Sequence, residues 1–513
     1  MRKIIIGTRG SELALWQAHH VKKQVTDLGF DVELKILKTQ GDNIQHLSFD
    51  KLEGKGFFTK EIEEALLNKD IDLAVHSHKD LPTTNPAGLI VAAVSHREDP
   101  SDLLLIRNEF VDTKMLFSLQ KNAKVGTSSL RRKTQIQAFR NDLIVEDLRG
   151  NVPTRINKLR LGNYDAIVIA YAGVTRLALD TSDLYAYKIP AWQMVPAPAQ
   201  GVLALQIREE DTFLKQALQQ ITDSDVQRKI AIERGVLNLF DGGCQLPLGV
   251  YCEEENGITK TSVSKAKNAD SAPVRMYFEN KNATEILKDF NNIKPQKVFV
   301  SAADNDFNFL KKSLSENGFE VKSKALITTK AIDFIDESKT DWIFFNSKNA
   351  VEYYLQKQKI KPEIKIAAIG NATANLLIQN GYSASFIGEE NSIEDSAKKF
   401  AEILGTQTVL FPQSFKSLKT VGSLLPQSQT AYVDVYHTIE QELTEQLVAE
   451  IYVFTSPSNA RCFVKSNTDY TKKIVAIGTA TAKVFNENYT HLFIARKPSE
   501  LCLLEKVYEV SAM

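Results

Sequence analysis

Residues 3–25, KIIIGTRGSELALWQAHHVKKQV, read as a strand, a tight turn and a helix. The apolar run Ile4–Ile6 ends at Gly7, and Ser11 stands where a helix N-cap belongs. The same phrase recurs along the first half. IDLAVHS at 71–77, KVGTSSLRRKTQIQAF at 124–139 and YDAIVIAYAGVTRL at 164–177 each place a short apolar run before a turn and a helix. Apolar strands alternating with helices are the pattern of α/β sheets buried on both faces. The segment 41–60, GDNIQHLSFDKLEGKGFFTK, breaks this rhythm. Polar and long for a connection, it reads as a mobile lid.

The chain has 513 residues, too many for one core. At about 150 residues per domain, roughly three to five domains are expected. Net charge is zero and the pI is near 7.1, which disfavours a general nucleic-acid or membrane-surface binder. The first apolar run is too short for a signal peptide, and no stretch is long enough for a membrane span. Cys244, Cys252, Cys462 and Cys502 show no zinc spacing, so no metal is expected. These features read as a cytoplasmic protein with reduced thiols.

The region after residue 296 contains a repeat. FFNSKNAV at 344–351 resembles FTSPSNAR at 454–461, and IAAIGNATANLLIQNGY at 366–382 resembles IVAIGTATAKVFNENYT at 474–490. The offset is 108–110 residues in both pairs, so two related α/β domains are expected. NIKPQK around Pro295 reads as the linker before them. Residues 253–272 are polar and without strong periodicity.

Arginine is distributed unevenly. Seven fall between Arg131 and Arg176 (Arg131, Arg132, Arg140, Arg149, Arg155, Arg160 and Arg176), against two in residues 276–513. A guanidinium grips a carboxylate or phosphate with two donors at once, so the first half is expected to hold a polyanion. GTSSLRR at 126–132 brings hydroxyls, free backbone amides and two arginines to a strand end, and LRGNVPTR at 148–155 adds two more beside Gly150. HSHKD at 76–80 places Lys79 and Asp80 after a strand, where Asp80 can act as an acid or stabilise a cation. A strand-end carboxylate paired with a lysine is the plainer explanation. His76 and His78 alternate along a strand, which disfavours a shared metal. LFDGGCQLPLG at 239–249 presents Cys244 on a glycine-led loop, as a nucleophile or as an inert thiol. VPAPAQG at 195–201 reads as a crossover between domains, or as an ordinary linker.

Taken in order, KIIIGTRGSELALWQA, GKGFFTKEIE, HSHKDLP, REDPSD, GTSSLRR, LRGNVPTR, YDAIVIAYAG, VPAPAQG and ERGVLNLFDGGCQLPLG resemble porphobilinogen deaminase (hydroxymethylbilane synthase) over about residues 1–290. The resemblance implies a periplasmic-binding-protein-like pair of domains, 1–97 with 198–221 and 98–197, and a small α+β domain, 222–292, carrying Cys244. It implies a dipyrromethane cofactor on Cys244 through a thioether. Four porphobilinogen units would join head to tail, each losing ammonia, and hydroxymethylbilane would be released. Each unit brings two carboxylates, which accounts for a row of arginines. Asp80 would protonate the leaving amine and stabilise the cationic intermediate, with Lys79 beside it. Lys79, Asp80, Thr127, Ser128, Ser129, Arg131, Arg132 and Arg155 would hold the cofactor. Arg9, Ser11, Arg149, Arg155 and Arg176 would hold substrate. The sequence departs from the family at His78 (often methionine), Ala199 (often glycine) and Ser101 (often arginine).

Residues 296–513 resemble uroporphyrinogen-III synthase through FFNSKNAV, IAAIGNATA, VLFPQS, VDVYHT, FTSPSNA and IVAIGTATA. This implies two Rossmann-like domains, 296–327 with 438–513 and 328–437, that close hydroxymethylbilane with inversion of one ring. Tyr436 would aid departure of the hydroxyl, and Ser347, Thr373, Ser456 and Thr481 would line the cleft. Helix capping is the plainer role for each hydroxyl. The expected protein is thus a bifunctional, monomeric tetrapyrrole enzyme acting on small molecules, without nucleic acid or membrane. The alternatives are a deaminase with a non-catalytic second half and a binding protein for an anionic solute.

Overall fold

The structure is a computed structural model, and it describes residues 2–39, 59–240, 246–337, 339–388, 393–415, 421–441, 447–467 and 469–513. The chain divides into two compact units, Met1–Lys294 and Pro295–Ser511. The architecture is mixed α/β, built on five open sheets with no barrel among the described residues.

The strands of the first unit are β1 (Lys3–Thr8), β2 (Asp31–Ile36), β3 (Leu73–Ser77), β4 (Leu89–Val94), β5 (Asp102–Ile106), β6 (Lys124–Gly126), β7 (Ile144–Glu146), β8 (Ala166–Ala170), β9 (Tyr185–Ile189), β10 (Leu203–Arg208), β11 (Leu248–Glu255), β12 (Ile258–Lys265) and β13 (Val274–Glu279). The first sheet runs β2-β1-β3-β10-β4 and the second β7-β6-β8-β5-β9. In each sheet the fourth strand is the one entered from the other sheet, and it lies antiparallel to both neighbours. The chain therefore crosses twice, once before β5 and once before β10. Every residue of β5 and of β10 is buried, as expected for strands covered on both faces. The helix Glu12–Asp27 lays Ala18, Val21 and Val25 on the first sheet, at the spacing of one helical face. Ser11 caps it, accepting from the Ala14 amide at 3.4 Å.

Both crossings are pinned by the long helix Ser224–Leu239. Glu233, fully buried, pairs with Arg97 of the first crossing (Nη1 to Oε1, 2.7 Å) and accepts from the Ala199 amide of the second (2.7 Å). It also accepts from the Cys252 amide on β11 at 2.8 Å, which ties in the third sheet. Burial alone would lower the Arg97 pKa, but the Glu233 pair raises it. Ala199 sits at φ +59, a left-handed conformation that costs an L-residue about 1–2 kcal/mol.

The third sheet is antiparallel, β11-β12-β13. Residues 253–272, polar and without strong periodicity in sequence, contain most of a hairpin. Its turn is Asn256-Gly257, both with positive φ (+53 and +76). Asn-Gly is the pair that two-residue hairpin turns favour, because both positions need φ above zero.

The second unit contains β14 (Lys297–Ser301), β15 (Glu320–Ser323), β16 (Ile327–Ala331), β17 (Trp342–Phe345), β18 (Lys365–Ile369), β19 (Phe386–Gly388), β20 (Val409–Ser414), β21 (Thr430–Glu440), β22 (Ile451–Phe454), β23 (Lys473–Ala476) and β24 (Leu492–Ile494). One sheet is β15-β14-β22-β23-β24, parallel throughout. The other is β16-β21-β20-β17-β18-β19, parallel except where β16 meets β21. The sequence repeat maps onto equivalent places in the two sheets. β17 and β22 are each fully buried, each runs parallel to the next strand in the chain, and each leads into a serine-capped helix.

Candidate functional site

In the first unit, β3 ends in a single 3-10 turn, His78–Asp80, which leaves Asp80 exposed and Lys79 half-buried. Lys79 Nζ donates to Gln200 Oε1 at 3.4 Å. Burial brings the Lys79 ammonium down to about 8, with Asp80 pulling the other way. The Asp80 charge also acts on Arg132 and Arg155, which lie on the helices Leu130–Phe139 and Val152–Arg160 that follow β6 and β7 of the second sheet. One carboxylate after a strand of the first sheet thus interacts with guanidiniums from the helices of the second.

Arg131 and Arg132 begin the helix Leu130–Phe139 behind β6. Both are buried, and both point at Asp102, the fully buried first residue of β5. Arg131 donates from Nη1 to Oδ2 (2.7 Å) and from Nη2 to Oδ1 (3.2 Å). Arg132 donates from Nε (3.0 Å) and Nη2 (2.8 Å) to Oδ1. Burial pushes the Asp102 carboxyl up, but the two guanidiniums outweigh it and hold it far below the usual carboxylate range. The two arginines, read from sequence as open anion grips, therefore already share one internal counter-charge. The sequence reading missed Asp102, although it closes the REDPSD motif at 97–102, because nothing in the chain's spacing brings it to the arginines.

The remaining arginines separate by role. Arg140 pairs with Asp142 and donates to the carbonyls of Leu116, Leu119 and Gln120, so it braces the second sheet. Arg160 pairs with Asp183 on the surface. Arg155 is half-buried, donates to the Gly150 carbonyl at 2.8 Å, and is lowered to about 10 mainly by burial. Arg176 donates to the Gly201 carbonyl at 2.7 Å and lies 5.8 Å from the Trp16 ring centroid. Neither Arg155 nor Arg176 pairs with a carboxylate among the described residues. Arg149 is near enough for its charge to depress Arg155 further. Arg9, in the turn after β1, exerts its charge on buried His76.

Three hydroxyls precede Arg131 and Arg132 at the end of β6. Thr127 is buried and its Oγ1 accepts from the Ser129 amide at 3.3 Å. Ser128 donates to the Leu148 carbonyl. Ser129 holds the N-cap position without a side-chain capping bond. Asn151 caps the helix Val152–Arg160, and Gly150 before it has φ +114, a conformation that suits glycine. Cys244 and most of the expected lid, 41–58, lie outside the described residues. Cys252, Cys462 and Cys502 are buried free thiols.

In the second unit, Tyr436 on β21 is 8% exposed, and its hydroxyl lies 3.4 Å from Ser347 Oγ. Tyr353 stacks on it with ring centroids 5.3 Å apart. Burial raises the Tyr436 pKa, so the phenol stays protonated. Ser347 and Ser456 cap the helices after β17 and β22, accepting from Ala350 and Asn459 amides at 3.2 Å each. Thr373 and Thr481 are buried near the helix starts after β18 and β23. The four hydroxyls therefore sit at four corresponding strand-to-helix turns, and two of them are occupied as caps.

Both halves are α/β, and both match enzyme families of tetrapyrrole synthesis. Residues 4–216 match the family described as porphobilinogen deaminase, dipyromethane cofactor binding domain, and residues 325–504 match uroporphyrinogen-III synthase HemD. Porphobilinogen deaminase of Sulfurimonas denitrificans is 46% identical over 252 residues, which cover 49% of this chain and 79% of that protein. The Nitratiruptor enzyme of the same name is 41% identical over 290 residues, covering 56% and 91%. A uroporphyrinogen-III synthetase structure from Helicobacter pylori aligns over 42% of this chain and 98% of its own, at 21% identity and a TM-score of 0.33. The chain belongs to the porphobilinogen deaminase family, fused to a uroporphyrinogen-III synthase domain.

Proposed function

We propose that the first unit condenses four porphobilinogen molecules to hydroxymethylbilane and that the second closes this product to uroporphyrinogen III. The observation that carries the reading is that Lys79 and Asp80, in the turn after β3, interact through their charges with Arg132 and Arg155, on the helices that follow β6 and β7. Porphobilinogen carries two carboxylates, so each addition, which forms one carbon–carbon bond and expels ammonia, brings two more anions into this cleft.

The family's dipyrromethane group fits the residues present. Arg155 and Arg176 are half-buried cations whose assigned partners are carbonyls, an arrangement that favours an incoming carboxylate. Lys79, Thr127, Ser128, Ser129, Arg131, Arg132 and Arg155 hold the group in this reading, with Cys244 as the thioether anchor. When bound, dipyrromethane supplies the pyrrole carbon to which the first substrate unit is joined. Arg9, Ser11, Arg149 and Arg176 grip substrate carboxylates. Asp80, exposed at the cleft, delivers a proton to the leaving amine and then faces the cation left behind. Arg131 and Arg132 keep one net positive charge after Asp102 is counted, enough to grip one carboxylate without stranding two bare charges.

In the second unit, Tyr436 donates its phenol proton to the departing hydroxyl. Helix starts beside Ser347, Thr373, Ser456 and Thr481 receive carboxylates through backbone amides. The domains in this reading are 1–97 with 198–221, 98–197, 222–292, 296–327 with 438–513, and 328–437; sheet membership supports the same division, except that β16 and β21 pair from Ile327 to Glu440 and carry the last domain a few residues past its bounds. The first two form a periplasmic-binding-protein-like pair and the last two are Rossmann-like. The same reading has the protein acting as a monomer in the cytoplasm.

Product isomer analysis after incubation with porphobilinogen alone tests both halves. Isomer III supports both activities, isomer I alone leaves only the deaminase, and unchanged porphobilinogen refutes the reading. The mass of the purified chain tests the anchor: two pyrrole units on Cys244 support it and a bare polypeptide mass refutes it.

A further inference from the structure

We propose that Gln200 is a positioning residue for Lys79, linking its ammonium, through an oriented side-chain amide, to the Asp102 carboxylate that holds Arg131 and Arg132. The inference rests on the reading of the first unit given above. Gln200 lies on the second crossing and is fully buried. Its Nε2 donates to the Pro100 carbonyl (2.6 Å) and to Asp102 Oδ1 (3.0 Å), while its Oε1 accepts from Lys79 Nζ (3.4 Å). The opposite amide orientation would set N–H groups against an ammonium and an oxygen against a carboxylate, so only one orientation satisfies the neighbours.

The link is anchored at both ends. Asp102 is clamped by Arg131 and Arg132, and the Gln200 backbone carbonyl accepts from Arg97 Nε at 3.0 Å. Next to it, Ala199 is held by Glu233. Lys79 therefore takes its position from a segment that belongs to neither sheet but joins them. An amide oxygen beside an ammonium favours the charged form and opposes the effect of burial. Among the charged groups acting on Lys79, Asp80 and Asp102 favour its charge, and Arg132 and Arg131 oppose it.

The test uses the full chain with Gln200→Met, which removes the amide at similar length, and Gln200→Glu, which keeps an oxygen toward Lys79 while setting its second oxygen against the Pro100 carbonyl and Asp102. Lys79 is titrated by reductive methylation with formaldehyde and read by peptide mass spectrometry, beside the pH profile of kcat/KM for porphobilinogen. Gln200→Met is expected to label Lys79 about threefold faster near neutral pH, a shift of about half a unit. The alkaline limb of kcat/KM should move down with it. Gln200→Glu should return both to the wild-type position or beyond. Equal labelling in all three proteins overturns the proposal, as does loss of fold in both variants, which would make the role purely structural. If Gln200→Met alone fails to fold, Gln200→Glu against wild type decides: slower labelling supports the link, and unchanged or faster labelling overturns it. Labelling needs no turnover, so an inactive wild type would refute the proposed function while leaving this link testable.

Discussion

Glu233 Oε2 accepts the backbone N–H of Ala199 at 2.7 Å, while Glu233 Oε1 holds Arg97 at the same distance. One buried carboxylate thus fixes both connections by which the chain passes between its first two sheets. It also holds Ala199 in a conformation that glycine would adopt without strain.

Replacing Glu233 with Gln should therefore be severe. It leaves the Arg97 guanidinium buried without its counter-charge, which costs about 3–5 kcal/mol. Urea denaturation of the two proteins measures the difference. A loss below about 1 kcal/mol would show that the crossings are held by other contacts.

Two buried histidines predict acid sensitivity. Burial lowers His76 to about 4 and His78 to about 3. In the unfolded chain each returns to about 6.5. Below that value the unfolded chain binds more protons, so stability is full above about pH 6.5 and falls as pH drops toward 4. The slope approaches about 1.4 kcal/mol per pH unit for each histidine. His78→Met, the residue common in relatives, should remove about half of this slope. Thermal melts at several pH values between about 4.5 and 7.5 read it directly.

Asp80 is exposed, so Asp80→Asn should change stability by no more than about 0.5 kcal/mol. Loss of its proton transfer and charge should lower kcat by about 10²–10⁴. Single-turnover assays with porphobilinogen, beside a melting curve, separate the two effects. Near-normal turnover removes Asp80 from the chemistry.

Tyr436→Phe deletes one hydroxyl, with ring stacking on Tyr353 preserved. The ratio of isomer III to isomer I should fall about tenfold, the equivalent of one hydrogen bond at about 1.4 kcal/mol. Because burial raises the Tyr436 pKa, the wild-type ratio should stay flat through neutral and mildly alkaline pH.

Much of the fold was legible in local pattern. Apolar runs before Gly and Ser announced β1, β3, β6 and β8 with the helices after them, because a buried strand must be apolar and a helix start needs a cap. The repeat announced the matching turns of the second unit, where Ser347 and Ser456 occupy equivalent caps. The hairpin at Asn256-Gly257 was equally local. It was missed because a polar, half-exposed strand pair lacks an apolar run to mark it.

By itself, the sequence determined which residue types stand at the strand ends: the Lys79–Asp80 pair, the arginine cluster and the hydroxyls of GTSS. Tertiary structure alone decided how the charges are shared. Asp102 stands 29 residues before Arg131, and Gln200 stands 121 after Lys79, yet they form one network. Such pairings arise where a chain crosses between sheets, and burial there forces each charge to find a partner. Of seven arginines that looked alike in the chain, Arg140 and Arg160 pair with Asp142 and Asp183, Arg131 and Arg132 share Asp102, Arg149 acts on Arg155 through its charge, and Arg155 and Arg176 remain without an ion pair among the described residues.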